Sequence, residues 1–158
     1  DFVLASECYE VTRRIREIKP DIILTLGLEG TVTAHVDHSM VGLFTTAAFH
    51  WAGRTDRFRE QLESGLQPHR ARKLYYVTAA QTWPERQPVS LAPVSARIDV
   101  RNYIDAKIEA FRVHESQRAL LEKYGDRSLR QPDELFHLSA TGVPQDSAQE
   151  TDLFAGLR

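Results

Sequence analysis

Five consecutive residues, Ile22-Ile23-Leu24-Thr25-Leu26, stand between Pro20 and Gly27 with no charged position among them. A strand with one wet face alternates apolar and polar residues. A short continuous run rich in β-branched residues is instead the pattern of a strand buried on both faces, as in a parallel sheet covered by helices. The residues before it agree. Val11, Ile15 and Ile18 recur at i, i+4 and i+7 among Arg13, Arg14, Arg16, Glu17 and Lys19, an amphipathic helix that Pro20 stops. Helix followed by buried strand is the unit from which α/β sheets are built.

The rest of the chain extends this pattern. Gly27 and Gly30 open a loop that delivers Thr31-Val32-Thr33-Ala34, and a second helix is expected from about Asp37 to Ala52. Val41, Phe44, Thr45, Ala48 and Trp51 lie on one side of it, with Asp37 as a possible N-cap and Gly53 as the C′ residue. Charged residues 54–72 suggest a short helix and a loop. Lys73 to Ala79 reads as the second strand. Residues 83–93 contain three prolines and read as a loop, and Ile98 and Val100 suggest a short edge strand. Asn102 to Tyr124 is expected to be the longest helix, with Ile104, Ile108 and Phe111 as its stripe and Gly125 as its end. From Asp126 the sequence is polar, carries Pro132 and Pro144 and shows little periodicity, so 126–158 reads as an irregular tail that Leu153-Phe154 docks.

These elements predict a single α/β domain over residues 1–158, with a mostly parallel sheet and helices on both faces. No internal repeat interrupts it. Two or three strands are few for such a sheet, and the chain opens at Asp1, without methionine, in helix-like sequence. Both features lead to the expectation that this is the C-terminal part of a longer domain.

Charge excludes several function classes. Twenty basic against 22 acidic side chains give a net charge of -2, which supplies no field to recruit nucleic acid or an anionic membrane. No apolar run approaches the roughly 20 residues that span a bilayer, and the start does not resemble a signal peptide. The single cysteine, Cys8, forms no internal disulfide, which fits a reducing, cytoplasmic setting. Beside Val11 on a helix, Cys8 reads as a small buried hydrophobe, since no activating base lies near it in sequence.

The chemistry concentrates in His35-Val36-Asp37-His38, just past the first strand and at the mouth of a helix. Imidazole nitrogens and carboxylates bind zinc or support those that do, and α/β folds place their sites at strand ends. His38 at the helix start can reach a metal above the strand, while Asp37 can orient the His35 ring. One histidine does not hold zinc, because catalytic sites supply about three protein ligands. The plain alternative is that Asp37 caps the helix while His35 and His38 are solvated loop residues.

A longer stretch carries a resemblance. Ile15 through Thr25 (Ile-Arg-Glu-Ile-Lys-Pro-Asp-Ile-Ile-Leu-Thr), the glycine-containing loop and Ala34-His35-Val36-Asp37-His38-Ser39 resemble the LmbE-like (PIG-L type) de-N-acetylases. In that family an Arg-Pro-Asp-hydrophobic run leads to a His-Pro-Asp-His motif and a helix. Lys73-Leu74-Tyr75-Tyr76 is similar to its next strand. Ile98-Asp99-Val100 with Lys107, His114, Ser116 and Gln117 is similar to its closing segment, and Asp152 to Leu157 to its endings. The resemblance implies a Rossmann-like fold and a zinc-dependent hydrolase that removes acetyl groups from N-acetylglucosamine-type sugars or cleaves related amides. It implies that His38 is a Zn2+ ligand, that His35 stabilises the oxyanion or acts as acid, and that Asp37 tunes His35. Members often assemble, so a homo-oligomer is expected. Val36 replaces the family's proline. Nothing in the chain matches the family's first motif, Ala-His-Pro-Asp-Asp-Glu, which supplies the other ligands and the general base, so this chain alone is not expected to be a competent enzyme.

Other residues have structural readings. Lys107 and His114, seven apart, lie within ~20° of each other on one helix and are expected to flank its apolar stripe; Ser116 and Gln117 read the same way. Trp51 reads as core and His50 as a partner of the helix C-terminal dipole. His69 and His137 read as surface or packing residues. Trp83 either covers a core edge or stacks on a sugar. Arg54, Arg70 and Arg72 form a basic neighbourhood whose default is a solvated face. Two function classes remain: an amide hydrolase, and a non-catalytic α/β module that binds a sugar or a partner. A metallophosphoesterase needs more carboxylates and histidines than the chain supplies.

Overall fold

A computed structural model describes residues 2–80, 90–127, 129–144 and 148–157 of the chain. Helix α1 (Phe2–Ile18) leads into strand β1 (Ile22–Leu26), and helix α2 (Val36–Trp51) follows. Next come the short helix α3 (Arg59–Glu63) and strands β2 (Lys73–Val77) and β3 (Ala96–Asp99). Helices α4 (Ile104–Arg112) and α5 (Arg118–Tyr124) precede strand β4 (Asp133–Thr141).

The four strands form one sheet in the order β1-β2-β4-β3. β1 and β2 are parallel, whereas β4 runs antiparallel to both β2 and β3. The α/β architecture is therefore as expected, but the sheet is mixed rather than mostly parallel. The cause is β4, which occupies the middle of the sheet where the sequence suggested an irregular tail. Its apolar signal is broken up. Phe136 and Leu138 face the side that holds Tyr75, Ala96, Val77 and Ile98, yet Ala140 joins the opposite core. A bulge explains the switch: Leu74 pairs with Ala140 and Tyr75 with Leu138, so Ser139 is the extra residue.

The first face of the sheet is covered by α1 and α2, through Ile15, Ile23, Ala48, Ala52, Ala71 and Leu74. Cys8 belongs to this layer as a fully buried residue, its thiol pKa raised by burial and, secondarily, by Glu7. Helix α1 also delivers Arg16, whose guanidinium is buried without a carboxylate partner. All five of its N–H groups are used: on the carbonyls of Ala52, Arg54, Arg57 and Phe58 and on Oε1 of Gln61, at 2.8–3.2 Å. Gln61 in turn donates to the Tyr9 carbonyl, 2.8 Å away, which closes the link back to α1.

The second face is held by a buried cluster on β2. Lys73 Nζ, with no exposed side-chain surface, donates to Glu150 Oε1 at 2.6 Å, to Tyr75 Oη at 3.0 Å and to the Leu153 carbonyl at 3.3 Å. Tyr75 donates to the other Glu150 oxygen, and its pKa is pushed up by burial first and by Glu150 second. The cluster straps the C-terminal segment across this face, where Leu153 packs on the core, as expected of it. Residue 150 also forms a parallel bridge to Ala96.

Two expected elements differ. Leu24 of β1 is 49% exposed, because among the described residues β1 is an edge strand, paired on one side only. The helix expected over 102–124 is broken into α4, a turn of 3-10 helix over Glu115–Gln117, and α5. Ile108 is buried on α4, but past Phe111 the side chains lose the core: Val113 is 69% exposed and Leu120 46%. Short helices are held by packing rather than propensity, so the helix stops where its buried stripe stops. Gly125 ends α5 at φ 68, as its position predicted.

Lys73→Met removes the buried cation from the cluster it forms with Tyr75 and Glu150, and we expect it to lower the free energy of unfolding by about 3–5 kcal/mol in chemical denaturation. Combining it with Glu150→Leu should recover most of that loss. A double variant no more stable than Lys73→Met would show that the pair is not what fastens the C-terminal segment.

Candidate functional site

The loop joining β1 to α2 holds an unusual run of backbone. Gly30 has φ 80, and Thr31 and Ala34 follow at φ 58 and 49. Gly30 cannot carry a side chain, since a Cβ there would lie 2.7 Å from the His35 carbonyl oxygen. A β-branched residue in the left-handed region is strained, at a cost on the order of 1–3 kcal/mol, and such residues cluster at functional sites. Thr31 is also buried. The loop is closed by the Gly30 N–H on the Gly27 carbonyl and by the Ala34 N–H on the Thr31 carbonyl, at 3.1 and 3.2 Å.

Helix α2 is set against the end of β1 by Gly42. A Cβ at this position would meet the Leu26 carbonyl oxygen at 2.4 Å, so only glycine lets the helix backbone come this close. Thr46, one turn on, meets Tyr76 of β2 through an Oγ1–Oη hydrogen bond of 2.8 Å. His38 lies one turn before Gly42 on the same side of the helix and is thereby carried over the carboxyl end of the strand.

His38 is half-buried and is held through one nitrogen. Its Nδ1 lies 3.3 Å from the Gly30 carbonyl, 3.2 Å from Thr33 Oγ1 and 3.3 Å from Thr31 Oγ1. A carbonyl only accepts, so the contact with Gly30 puts the proton on Nδ1 and leaves the Nε2 lone pair free of described partners. A metal-binding imidazole has this arrangement. Thr31 and Thr33 were not singled out from the sequence; nothing in their spacing marks them, and they are found only because the loop turns back on itself.

His35 is exposed and does something the sequence did not indicate: it, rather than Asp37, caps α2. Its Nδ1 accepts from the Asp37 backbone N–H at 3.1 Å. The proton of the neutral ring therefore sits on Nε2. The Asp37 carboxylate is exposed and lies 3.8 Å from His35 Nδ1, an ion-pair distance rather than a hydrogen bond. The rings of His35 and His38 are 5.4 Å apart, centroid to centroid. Val36 is the first residue of α2, a position at which proline is also tolerated, so the departure from a His-Pro-Asp-His pattern leaves the helix start intact. Gly53 follows the helix without positive φ, and the space above it is taken by the Arg70 side chain.

Among the described residues no group of three His, Cys, Asp or Glu side chains converges to hold a metal. His38 offers one donor that fits zinc, and the described residues do not bring the three protein ligands of a catalytic zinc site together.

The remaining sequence candidates stand apart from this loop. Lys107 of α4 pairs with Glu134 of β4, while His114 is exposed at the break between α4 and α5, so the helical face they were expected to share does not exist. Gln117 reaches Ser116, 3.5 Å away, on the surface. His50 is exposed in the last turn of α2, and Trp51 is half-buried against Phe58 with Arg57 over its ring. His69 meets the Pro20 carbonyl and His137 the Pro93 carbonyl, at 2.8 and 2.9 Å. Arg54 is paired with Asp56, whose pKa it lowers to about 2, and Arg72 donates to the Leu157 carbonyl. Arg54 and Arg72 are thus engaged within the fold, while Arg70 is exposed with its side chain over Gly53. Trp83 lies outside the described residues.

If the Gly42 contact sets the position of His38, Gly42→Ala should lower stability by about 1–3 kcal/mol in thermal or chemical unfolding, because the new methyl group forces α2 away from the Leu26 carbonyl. Unchanged stability would mean that the helix does not depend on this approach.

Comparison with known proteins places these features in context. No protein-family model matches the chain. It is 28% identical to 1D-myo-inositol 2-acetamido-2-deoxy-alpha-D-glucopyranoside deacetylase 1 of Frankia alni, over 99% of this chain and 63% of the relative. It is 31% identical to the deacetylase of the same name from Rhodococcus jostii, over 90% of this chain and 57% of the relative. The chain thus spans about three fifths of the length of these curated relatives. Among solved structures it superposes on N,N'-diacetylchitobiose deacetylase from Pyrococcus horikoshii with a TM-score of 0.62 and 17% identity, over 85% of this chain and 51% of that one. It also superposes on the 4-carboxy-2-hydroxymuconate hydratase GalB of Pseudomonas putida with a TM-score of 0.61 and 16% identity, over 90% and 62%. The two structures share the fold while their names give different reactions, so the fold alone does not choose between them. The chain has the α/β fold of these enzymes and is similar in sequence, over nearly all its length, to part of two amino-sugar deacetylases.

Proposed function

We propose that this chain is part of a zinc-dependent hydrolase that removes the acetyl group from an N-acetylglucosamine-type sugar or cleaves a related amide. The observation that carries the reading is the state of His38: Nδ1 is committed to the Gly30 carbonyl and its threonine neighbours, and Nε2 is left for a metal. The names of the two curated relatives support the substrate class. A cytoplasmic location and a homo-oligomeric state belong to the same proposal. No described helix is long and apolar enough to cross a membrane.

Zinc, when bound, supplies a Lewis acid for the amide carbonyl and lowers the pKa of a bound water to about 7. The protein's own residues then have distinct tasks. His38 would offer Nε2 to the metal, with its tautomer and orientation fixed by the Gly30 carbonyl at Nδ1. His35 carries its proton on Nε2 and donates it as a hydrogen bond to the carbonyl oxygen that becomes negative as the amide carbon turns tetrahedral. Asp37 leaves the cap at Nδ1 in place; its carboxylate lies 3.8 Å away, a negative charge beside the ring.

A non-catalytic sugar- or partner-binding module is the second reading. What favours it is that no three metal-binding side chains converge among the described residues. Metal analysis of the full-length protein separates the two: bound zinc that is lost in His38→Ala, together with release of acetate from N-acetylglucosamine conjugates, supports the enzyme. Zinc content unaffected by His38→Ala would remove His38 from the coordination shell.

The role of His35 has its own test. Asparagine is a good N-cap, so His35→Asn keeps α2 capped but removes the ring donor; kcat should fall by about 10²–10³-fold with the melting temperature maintained. His35→Ala should lose the same activity and, in addition, about 1 kcal/mol of stability. Full activity in His35→Asn would confine this residue to capping.

A further inference from the structure

The same loop contains a polar group that neither histidine uses. Oε1 of Glu29 is buried with no hydrogen-bond partner among the described residues. The carboxylate is folded back over its own turn: a Cβ on Gly27 would meet Oε2 at 2.1 Å and Oε1 at 2.2 Å, so the group fills the space that the glycine leaves. That turn is closed by the Gly30 N–H on the Gly27 carbonyl. The next residue along, Gly30, provides the carbonyl that fixes the His38 tautomer.

A carboxylate oxygen removed from water without a donor is costly, and folded proteins keep few such groups. No lysine, arginine or backbone N–H of the described structure meets this one. Glu29 as a residue is only partly buried, so its other oxygen is within reach of solvent. Rotation about its terminal Cγ–Cδ bond, a broad two-fold torsion, exchanges the two oxygens without moving the backbone, so one oxygen at a time faces outward.

We propose that Glu29 is a further binding residue of the site, whose carboxylate accepts hydrogen bonds from ring hydroxyls of the bound amino sugar. The inference rests on the amino-sugar deacetylase reading and narrows it to ligands that present hydroxyl donors next to the reacting amide. The outward oxygen accepts from a ring hydroxyl, and such a charge-assisted bond is stronger than one to a neutral acceptor. A residue that only binds acts on ground state and transition state alike, so its loss appears in KM and not in kcat.

The test is Glu29→Gln in the full-length protein, a change that removes the charge and keeps the shape. KM for an N-acetylglucosamine conjugate should rise roughly tenfold with kcat within about twofold of the parent. Calorimetric affinity for glucosamine should fall by a similar factor. The melting temperature should stay level or rise, because an unpaired buried charge has been removed. Unchanged KM and glucosamine affinity in an active, zinc-loaded protein would overturn the role of Glu29 and leave the deacetylase reading standing. A clear fall in melting temperature would also overturn it, by showing that the carboxylate already has a partner in the fold. A parent protein that releases no acetate and binds no glucosamine would overturn the deacetylase reading, and the sugar assigned to Glu29 with it.

Discussion

Everything at the candidate site depends on where α2 sits, and α2 is held at three points by contacts of different kinds. At its C-terminal end, the buried guanidinium of Arg16 takes the Ala52 carbonyl and then gathers the carbonyls of the loop that follows. In its middle, Gly42 lets the helix backbone touch the last carbonyl of β1. At its start, His35 caps the chain. An arginine with five neutral acceptors and no carboxylate bonded to it is retained for geometry, since only its fork can satisfy so many diverging carbonyls at once. Desolvation lowers its pKa, yet the group stays charged, because arginine starts far above neutrality.

The two faces of the sheet are stabilised differently. On the side of α1 and α2 the contacts are apolar and close, with alanines at 48, 52 and 71 allowing the helices to approach the strands. On the other side a buried lysine, tyrosine and glutamate tie the C-terminal segment to β2. Placing β4 in the centre of the sheet makes this arrangement possible: its antiparallel pairing puts Phe136 beside Tyr75 and Ala96, under the segment that Lys73 and Tyr75 fasten. The polar strap thus lies on the face away from α2 and its histidines.

How much of this was legible in the sequence varied with the length scale of the interaction. β1, β2 and the two helices around β1 could be read because periodicity and punctuation are local properties. β4 could not: its strand has polar residues at both ends, and its one-residue bulge splits Ala140 from Phe136 and Leu138, so no clean alternation survives. The break after Arg112 was hidden for the opposite reason, since residues 113–124 have acceptable helix propensity and lack only a core to pack on, which is a tertiary fact. At the site, the His-x-Asp-His spacing pointed to the loop between β1 and α2. The threonines around His38, the cap at His35 and the unpaired oxygen of Glu29 depend on how a strained loop folds back on itself, and no spacing encodes that.

The cap at His35 also bears on the choice of residue. Asparagine, aspartate or serine serve at least as well at the start of a helix, so capping alone gives no reason for an imidazole. Accepting the Asp37 N–H at Nδ1 requires that nitrogen to be unprotonated, and in the neutral ring this places the proton on Nε2. One hydrogen bond to the backbone therefore selects the tautomer and orients the donor, in the way that second partners orient the rings of metal-bound histidines. His38 is held by the mirror logic: a carbonyl at Nδ1 draws the proton there and frees Nε2 as a lone pair. Two imidazoles three residues apart are thus kept in opposite tautomers by the backbone around them, one with a proton on Nε2 and the other with a lone pair there. Thr31, held in a left-handed conformation, is part of the strained backbone that keeps His38 in this state.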